Sequence, residues 1–198
     1  MRTLLTLSLL LAPAALRADE KPADLPVKAK LVAKTTTYKL DLGGKTADEY
    51  RTMIKENLGT GKLPPAPAVE MTLELTNTSD KEVQIWSKGD PVSVNLELKG
   101  PGAESVTPRQ AFSRIFHVPT PMALAPGKTL SVPVTSLSHG FRGIAQRAYW
   151  TEPGEYTLTA SFATALSPAP TGTKADDKGF GRVTIRSEPV TIKVEAAK

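Results

Sequence analysis

The chain has no cysteine among its 198 residues, and that one absence removes several chemistries. It excludes disulfides, thiolate zinc sites, a thiol nucleophile and a lipid-modified cysteine. Histidine is almost as scarce. Two isolated imidazoles without cysteine do not make the usual zinc sets. An excess of charge is missing too: setting Arg2 and Arg17 aside leaves 23 basic against 20 acidic residues, a net charge of +3, too small for a nucleic-acid signature. Beyond the first eighteen residues no segment is apolar enough to span a bilayer. There is no Gly-x-Ser-x-Gly elbow, and no strand-to-helix transition surrounds Gly179-Phe180-Gly181, so that run is not a phosphate loop. No cofactor is expected.

The start of the chain is what an exported protein carries. Arg2 supplies a positive start, Thr3 to Leu16 are largely apolar, and Ala18 is a small residue before Asp19-Glu20. Pro13 interrupts the run, which is shorter than the ~20 residues of a membrane span. The pattern predicts a signal peptide over 1–18 and a periplasmic, cell-envelope or secreted location. Export without disulfides suits a bacterial envelope or medium. A mature chain of this size buries about 70% of its unfolded surface, enough to hold a fold without covalent staples. Residues 19–29, with Pro, Lys and Asp, read as a flexible tether, and 30–198 as a single domain.

Within that domain the periodicity is that of strands. Residues 30–42 have a poor hydrophobic pattern and read as an edge strand. One short helix is expected over about 46–58: Thr46 and Glu49 form a capping box, Gly59 lies just past the end, and Ala47, Tyr50, Ile54 and Leu58 share one side. Pro64, Pro65 and Pro67 then force an extended crossing. Val69, Met71, Leu73 and Leu75 alternate with polar residues; Asn77 to Asp80 read as a turn, and Glu82 to Trp86 as the returning strand of a hairpin. Val92 to Leu98 and Leu130 to Val134 give further inward faces, with Pro133 facing outward as on an edge. Tyr156, Leu158, Ala160 and Phe162 alternate with Thr157, Thr159 and Ser161 after a Pro153-Gly154 turn. Val183 and Ile185 are out of phase with Val190, Ile192 and Val194, so an extra residue must be absorbed between Arg186 and Pro189. The sum is an all-β antiparallel sandwich of seven or eight strands with one short N-terminal helix.

The segment Glu152-Pro153-Gly154-Glu155-Tyr156 resembles the approach to the tyrosine corner of immunoglobulin-like domains. That resemblance, over roughly residues 68–195, implies an immunoglobulin-like sandwich in which Leu158 stands where many members carry a cysteine. It implies Leu73 at the other half of the missing disulfide and Trp86 at the position of the core tryptophan. The pattern is also similar to the bacterial intracellular proteinase inhibitor type of sandwich, which implies inhibition by an exposed loop as an alternative function.

Sandwich domains carry function on their loops. Two are expected, over 136–150 and 167–181. The first offers Arg142, Arg147, Tyr149 and Trp150, residue types enriched at binding hot spots, inside a stretch from Ser105 to Thr151 that has no acidic residue. Those four residues are the candidate partner-binding site, with a protein or an anionic polysaccharide as partner. For Phe141, Tyr149 and Trp150 the favoured reading is that they cap the open end of the sandwich and cover the core, the arginines being the better candidates for exposure. His139, near Ser136 and Ser138, is the one arrangement reminiscent of a hydrolase, but no acid is close in sequence and it reads as a solvated loop histidine. Asp176-Asp177 read as solvated charge rather than a calcium cage. The chain is expected to be a non-catalytic exported binding module.

Overall fold

The computed structural model describes residues 25–60, 62–107, 115–141 and 144–196, and for Phe141, Ile144 and Ala145 the backbone alone. The expected signal peptide and most of the expected tether therefore lie outside the described residues.

Alternation in the sequence becomes two antiparallel sheets packed face to face, an immunoglobulin-like all-β sandwich. In the first sheet β3 (Ala68–Asn77) is central, flanked by β1 (Val27–Ala33) and β8 (Thr129–Ser136). The second is organised by one long strand, β11 (Gly154–Ser167). Along one edge of β11 run β13 (Val190–Glu195) and then β12 (Gly181–Arg186); along the other run β5 (Ser93–Lys99) and then β4 (Val83–Lys88). β2 (Thr37–Lys39) adds to β13 in parallel and β7 (Thr120–Leu124) adds to β4, closing the two edges of that sheet. β6 (Ala103–Val106), β9 (Ser138–Phe141) and β10 (Ile144–Trp150) make a small third sheet with β10 in the middle. Inward side chains of both main sheets, among them Leu73, Leu75, Ile85, Leu158, Phe162 and Ile192, share one core. At roughly 25 cal/mol per Å² of apolar area removed from water, such a core supplies the main stabilising term.

Several expectations meet the structure directly. Leu73 and Leu158 are fully buried and lie in opposite sheets. Pro133 sits on an edge strand, where its missing donor costs nothing. The phase slip is a bulge: four positions separate Arg186 from Val190, while their partners Ser161 and Leu158 are three apart. Ser187 absorbs the extra residue. Its N–H donates to Ala160 O at 2.8 Å and its hydroxyl accepts from Ala160 N at 3.1 Å, so both strands stay on one sheet. The helix α1 (Ala47–Asn57) has its capping box, and the Thr46 backbone donor holds the Glu49 carboxyl below its usual range. Gly59 is not left-handed; Leu58 ends the helix in helical geometry.

Others are corrected. Strand β1 begins at Val27, inside the expected tether, because Val27 is buried opposite Asn77. The segment 30–42 is not one strand but the end of β1 and, beyond a crossing, β2 on the other sheet. Strands β3 and β4 do not form a hairpin; they belong to opposite sheets. The reason is Asn77, which is fully buried at the crossing. Its amide donates to Lys81 O and Leu124 O, both at 2.7 Å, and its Oδ1 accepts from Ser79 N at 2.9 Å. Its backbone ties the β7–β8 crossing at the same end, through Lys128 O and Gly127 N. Trp86 faces outward, and the tryptophan of the core is Trp150. Among the described residues there are thirteen strands rather than seven or eight: β2, β6 and β7 are additional, and the expected loop 136–150 is the β9–β10 hairpin.

The tyrosine corner is present. The Tyr156 hydroxyl donates to Glu152 O at 2.7 Å and also meets Pro101 O. Gly100 makes this approach possible, since a Cβ there would stand 2.5 Å from the Tyr156 ring. Tyr156→Phe is expected to cost about 0.5–1.5 kcal/mol, because it removes a part-buried hydrogen bond. Urea unfolding checks this, and an unchanged midpoint would remove the corner's role.

Candidate functional site

The residues singled out in the sequence come together, but not as a loop. Strand β10 is covered on both faces. Ala148 and Trp150 point into the sandwich core, while Tyr149 points the other way, into a second cluster with Tyr50, Ile54 and Leu63 under the helix. Tyr149 is 0% exposed and Trp150 5%, so both are packed, as the capping reading has it, and neither offers an exposed hot-spot surface. Aromatic residues here are spent on packing: Tyr50 meets Tyr149 edge-on at 6.2 Å, and Trp150 contacts Tyr38 at 5.3 Å and Tyr156 at 6.3 Å. Arg147 is engaged as well. Its Nη1 donates to Leu63 O at 3.1 Å and Pro64 O at 3.0 Å, and the Tyr149 hydroxyl donates to Pro64 O at 2.8 Å. Arg142 lies outside the described residues.

Together these side chains build a cleft. Trp150, Tyr38 and Tyr50 form its floor, and the segment from Pro64 to Ala68, clamped from behind by Arg147 and Tyr149, forms one wall. Met53 and Leu42 line the helix side, Lys39, Asp41 and Lys45 stand at the rim, and the volume is about 650 Å³. Sequence reasoning found Arg147, Tyr149 and Trp150 but missed Tyr38, Met53 and the proline wall, which are remote in sequence. The three closely spaced prolines, which must run extended, were the available signal.

A second surface lies on the outer face of the larger sheet. Trp86 stacks on Phe180 at 5.4 Å, and the Thr164 hydroxyl donates to Trp86 O at 2.7 Å. Phe180 is brought there by the expected 167–181 loop. Asp176 shapes its turn by accepting from Lys178 N at 2.9 Å and Phe180 N at 2.8 Å, the work of an Asx turn rather than of a metal ligand. Beside this pair, a groove of about 290 Å³ is completed by Phe116, Val118 and Pro121, with Lys178 and Arg182 at its border. Ile115, Phe116 and Val118 are 67, 66 and 71% exposed.

His139 is not solvated. It is 7% exposed, in strand β9, and its Nδ1 accepts from Leu96 N at 3.0 Å. The imidazole thus gives strand β5 an acceptor from β9 and joins the small sheet to the large one. Its Nε2 is buried without a hydrogen-bond partner, so among the described residues no serine or threonine hydroxyl bonds it and no triad is assembled. Among the described residues, no group of three or more His, Cys, Asp and Glu is placed to hold a metal, and no helix is long and apolar enough to cross a membrane.

No protein-family model and no curated protein matches the chain, and the resemblance to the proteinase inhibitor type of sandwich gains no support. Among solved structures, the chain is similar to the ASH / PapD-like domain of human CEP192 (PapD-like domain 7) at 10% identity and a TM-score of 0.26, over 96% of this chain and 99% of that one. At that TM-score the likeness carries no argument, and the sandwich assignment rests on the strand pairings themselves.

Burial holds the His139 pKa down at about 4, against an ordinary 6.5. Between these values the unfolded chain binds more protons than the folded one, so stability rises with pH across the window and is lost as pH falls from 6.5 toward 4. Expected for His139→Gln is a lower stability at pH 7 and a flatter slope across that window. Chemical denaturation at several pH values checks it, and parallel curves for the two proteins would refute the assignment.

Proposed function

We propose that this chain is an exported, non-catalytic protein-interaction module whose partner docks on the outer-face groove beside Trp86 and Phe180. One observation carries the proposal. Among the described residues, the exposed large hydrophobics are Ile115, Phe116 and Val118, all within four consecutive positions, and Phe116 and Val118 line that groove. Scattered exposed apolar residues need no explanation, whereas a contiguous group at an aromatic-lined groove is the form of an interaction site. Asp90, Asp176, Asp177, Lys178 and Arg182 around it supply the mixed-charge polar rim of such a surface. A protein partner with apolar anchors is favoured over an anionic polysaccharide, because Arg147, one of the two arginines suggested for the glycan, already binds the carbonyls of Leu63 and Pro64.

The test is a double substitution, Phe116→Ser with Val118→Ser. Both side chains are mostly in water, so the melting temperature is expected to stay within a few degrees. Affinity for a partner captured on residues 19–198 and then purified should fall at least tenfold by calorimetry. Undiminished affinity would show that this surface is not the site. Export is tested separately by producing the full chain in a bacterial host and sequencing the N-terminus of the product. A new start at or near Asp19 is expected; a product retaining Met1 contradicts the signal peptide.

A further inference from the structure

The cleft between helix and sandwich is a different kind of place from the outer-face groove. Its floor is the aromatic set Tyr38, Tyr50 and Trp150. Its proline wall has almost nothing polar to give. Pro64, Pro65 and Pro67 lack N–H donors, and the carbonyls of Leu63, Pro64 and Pro67 already accept from Arg147, Tyr149 and Leu137. An extended peptide has no ladder to join along it. Met53, on the helix side, is an adaptable apolar surface. A volume of about 650 Å³ lies inside the range of roughly 300–1,000 Å³ typical of small-molecule sites.

The rim carries a net positive charge, Lys39 and Lys45 against Asp41. Neither Lys39 nor Lys45 is in an ion pair among the described residues. The one acid on the rim, Asp41, turns Oδ1 to its own loop and accepts from Gly43 N at 2.9 Å. Glu195, opposite Lys39 in register, is bonded by Lys193 at 3.2 Å. Two lysines outside any close ion pair, Lys45 acting on Glu49 only at longer range, therefore stand with Asp41 over an apolar, aromatic-floored cleft.

We infer that this cleft binds a small amphipathic anion, its aliphatic or aromatic body lying on Trp150 and Tyr38 and its carboxylate-type head at Lys39 and Lys45. Charge complementarity sets the sign of the head, and the donor-poor wall sets the apolar character of the body. The chain has two tryptophans, so Trp86→Phe leaves Trp150 as the sole indole and as a reporter inside the site. The probes are decanoate, below its micelle concentration, and decyltrimethylammonium, which differs chiefly in the sign of its head. A saturable change in Trp150 emission with decanoate is expected, at least tenfold weaker with the cationic probe. The Lys39→Ala, Lys45→Ala double substitution, at two exposed positions, should weaken decanoate at least tenfold. Calorimetry on the unsubstituted protein should give the same affinity within a factor of three, which guards against damage from Trp86→Phe. The inference fails if decanoate gives no saturable response, if both head groups bind alike, or if the lysine variant is unaffected. It fails equally if emission responds only to phosphatidylglycerol vesicles. The outer-face variant at Phe116 and Val118 should bind decanoate normally, so the two surfaces are tested apart.

Discussion

The Tyr156 hydroxyl holds the end of the sandwich on which the rest is built. Strand β11 is shared by four partner strands, so its starting point sets the position of the whole larger sheet. That point is fastened where Tyr156 meets the carbonyls of Glu152 and Pro101, drawing the connection after β5 against the turn before β11. Close approach is needed on both sides: a Cβ at Gly100 would strike the Tyr156 ring, and one at Gly154 would stand 2.6 Å from Pro101. The helix is tied to the same corner. Arg51 pairs with Glu152 and donates to the buried Thr151 hydroxyl at 2.9 Å, which in turn donates to Gly102 O at 2.9 Å. The hydrogen bond that Arg51 donates to Glu152 raises the guanidinium pKa above its ordinary value.

Fixing the helix there has a consequence one layer away. Strand β10 runs between helix and sandwich, with Tyr149 facing the first and Trp150 the second. Burial on both faces converts what reads as an aromatic, arginine-bearing loop into structural material. Its arginine and tyrosine hold a proline segment by its carbonyls, and the space left between that segment and the helix is the cleft. At this end of the molecule the residues that line the cleft also hold the fold together. At the outer-face groove Phe116 and Val118 are instead largely in water.

Histidine chemistry illustrates how a residue's neighbours set its role. Beside Ser136 and Ser138 in sequence, His139 invites comparison with a hydrolytic site. In space its acceptor nitrogen is occupied by a backbone donor of β5 and its other nitrogen faces no partner. It serves the pairing of two sheets and carries an acid-sensitive contribution to stability with it.

Much of the fold was legible because it is written in local terms. The capping box at Thr46 and Glu49, the extended proline crossing, the edge proline at Pro133, the bulge at Ser187 and the approach to Tyr156 each follow from residues a few positions apart. Strand period determines which side chains share a face, and the turn residues determine where a strand stops. Neither says which strand lies alongside. The membership of β3 and β4 in opposite sheets hangs on Asn77 reaching Lys81 and Leu124, and the fate of Tyr149 and Trp150 hangs on a helix a hundred residues away in the chain. By itself the sequence determined an alternating, cysteine-free sandwich closed by a tyrosine. Only the tertiary structure decided which of its aromatics are core, where the cleft opens and which apolar residues are left in water, because burial from a second side comes from residues that periodicity does not register.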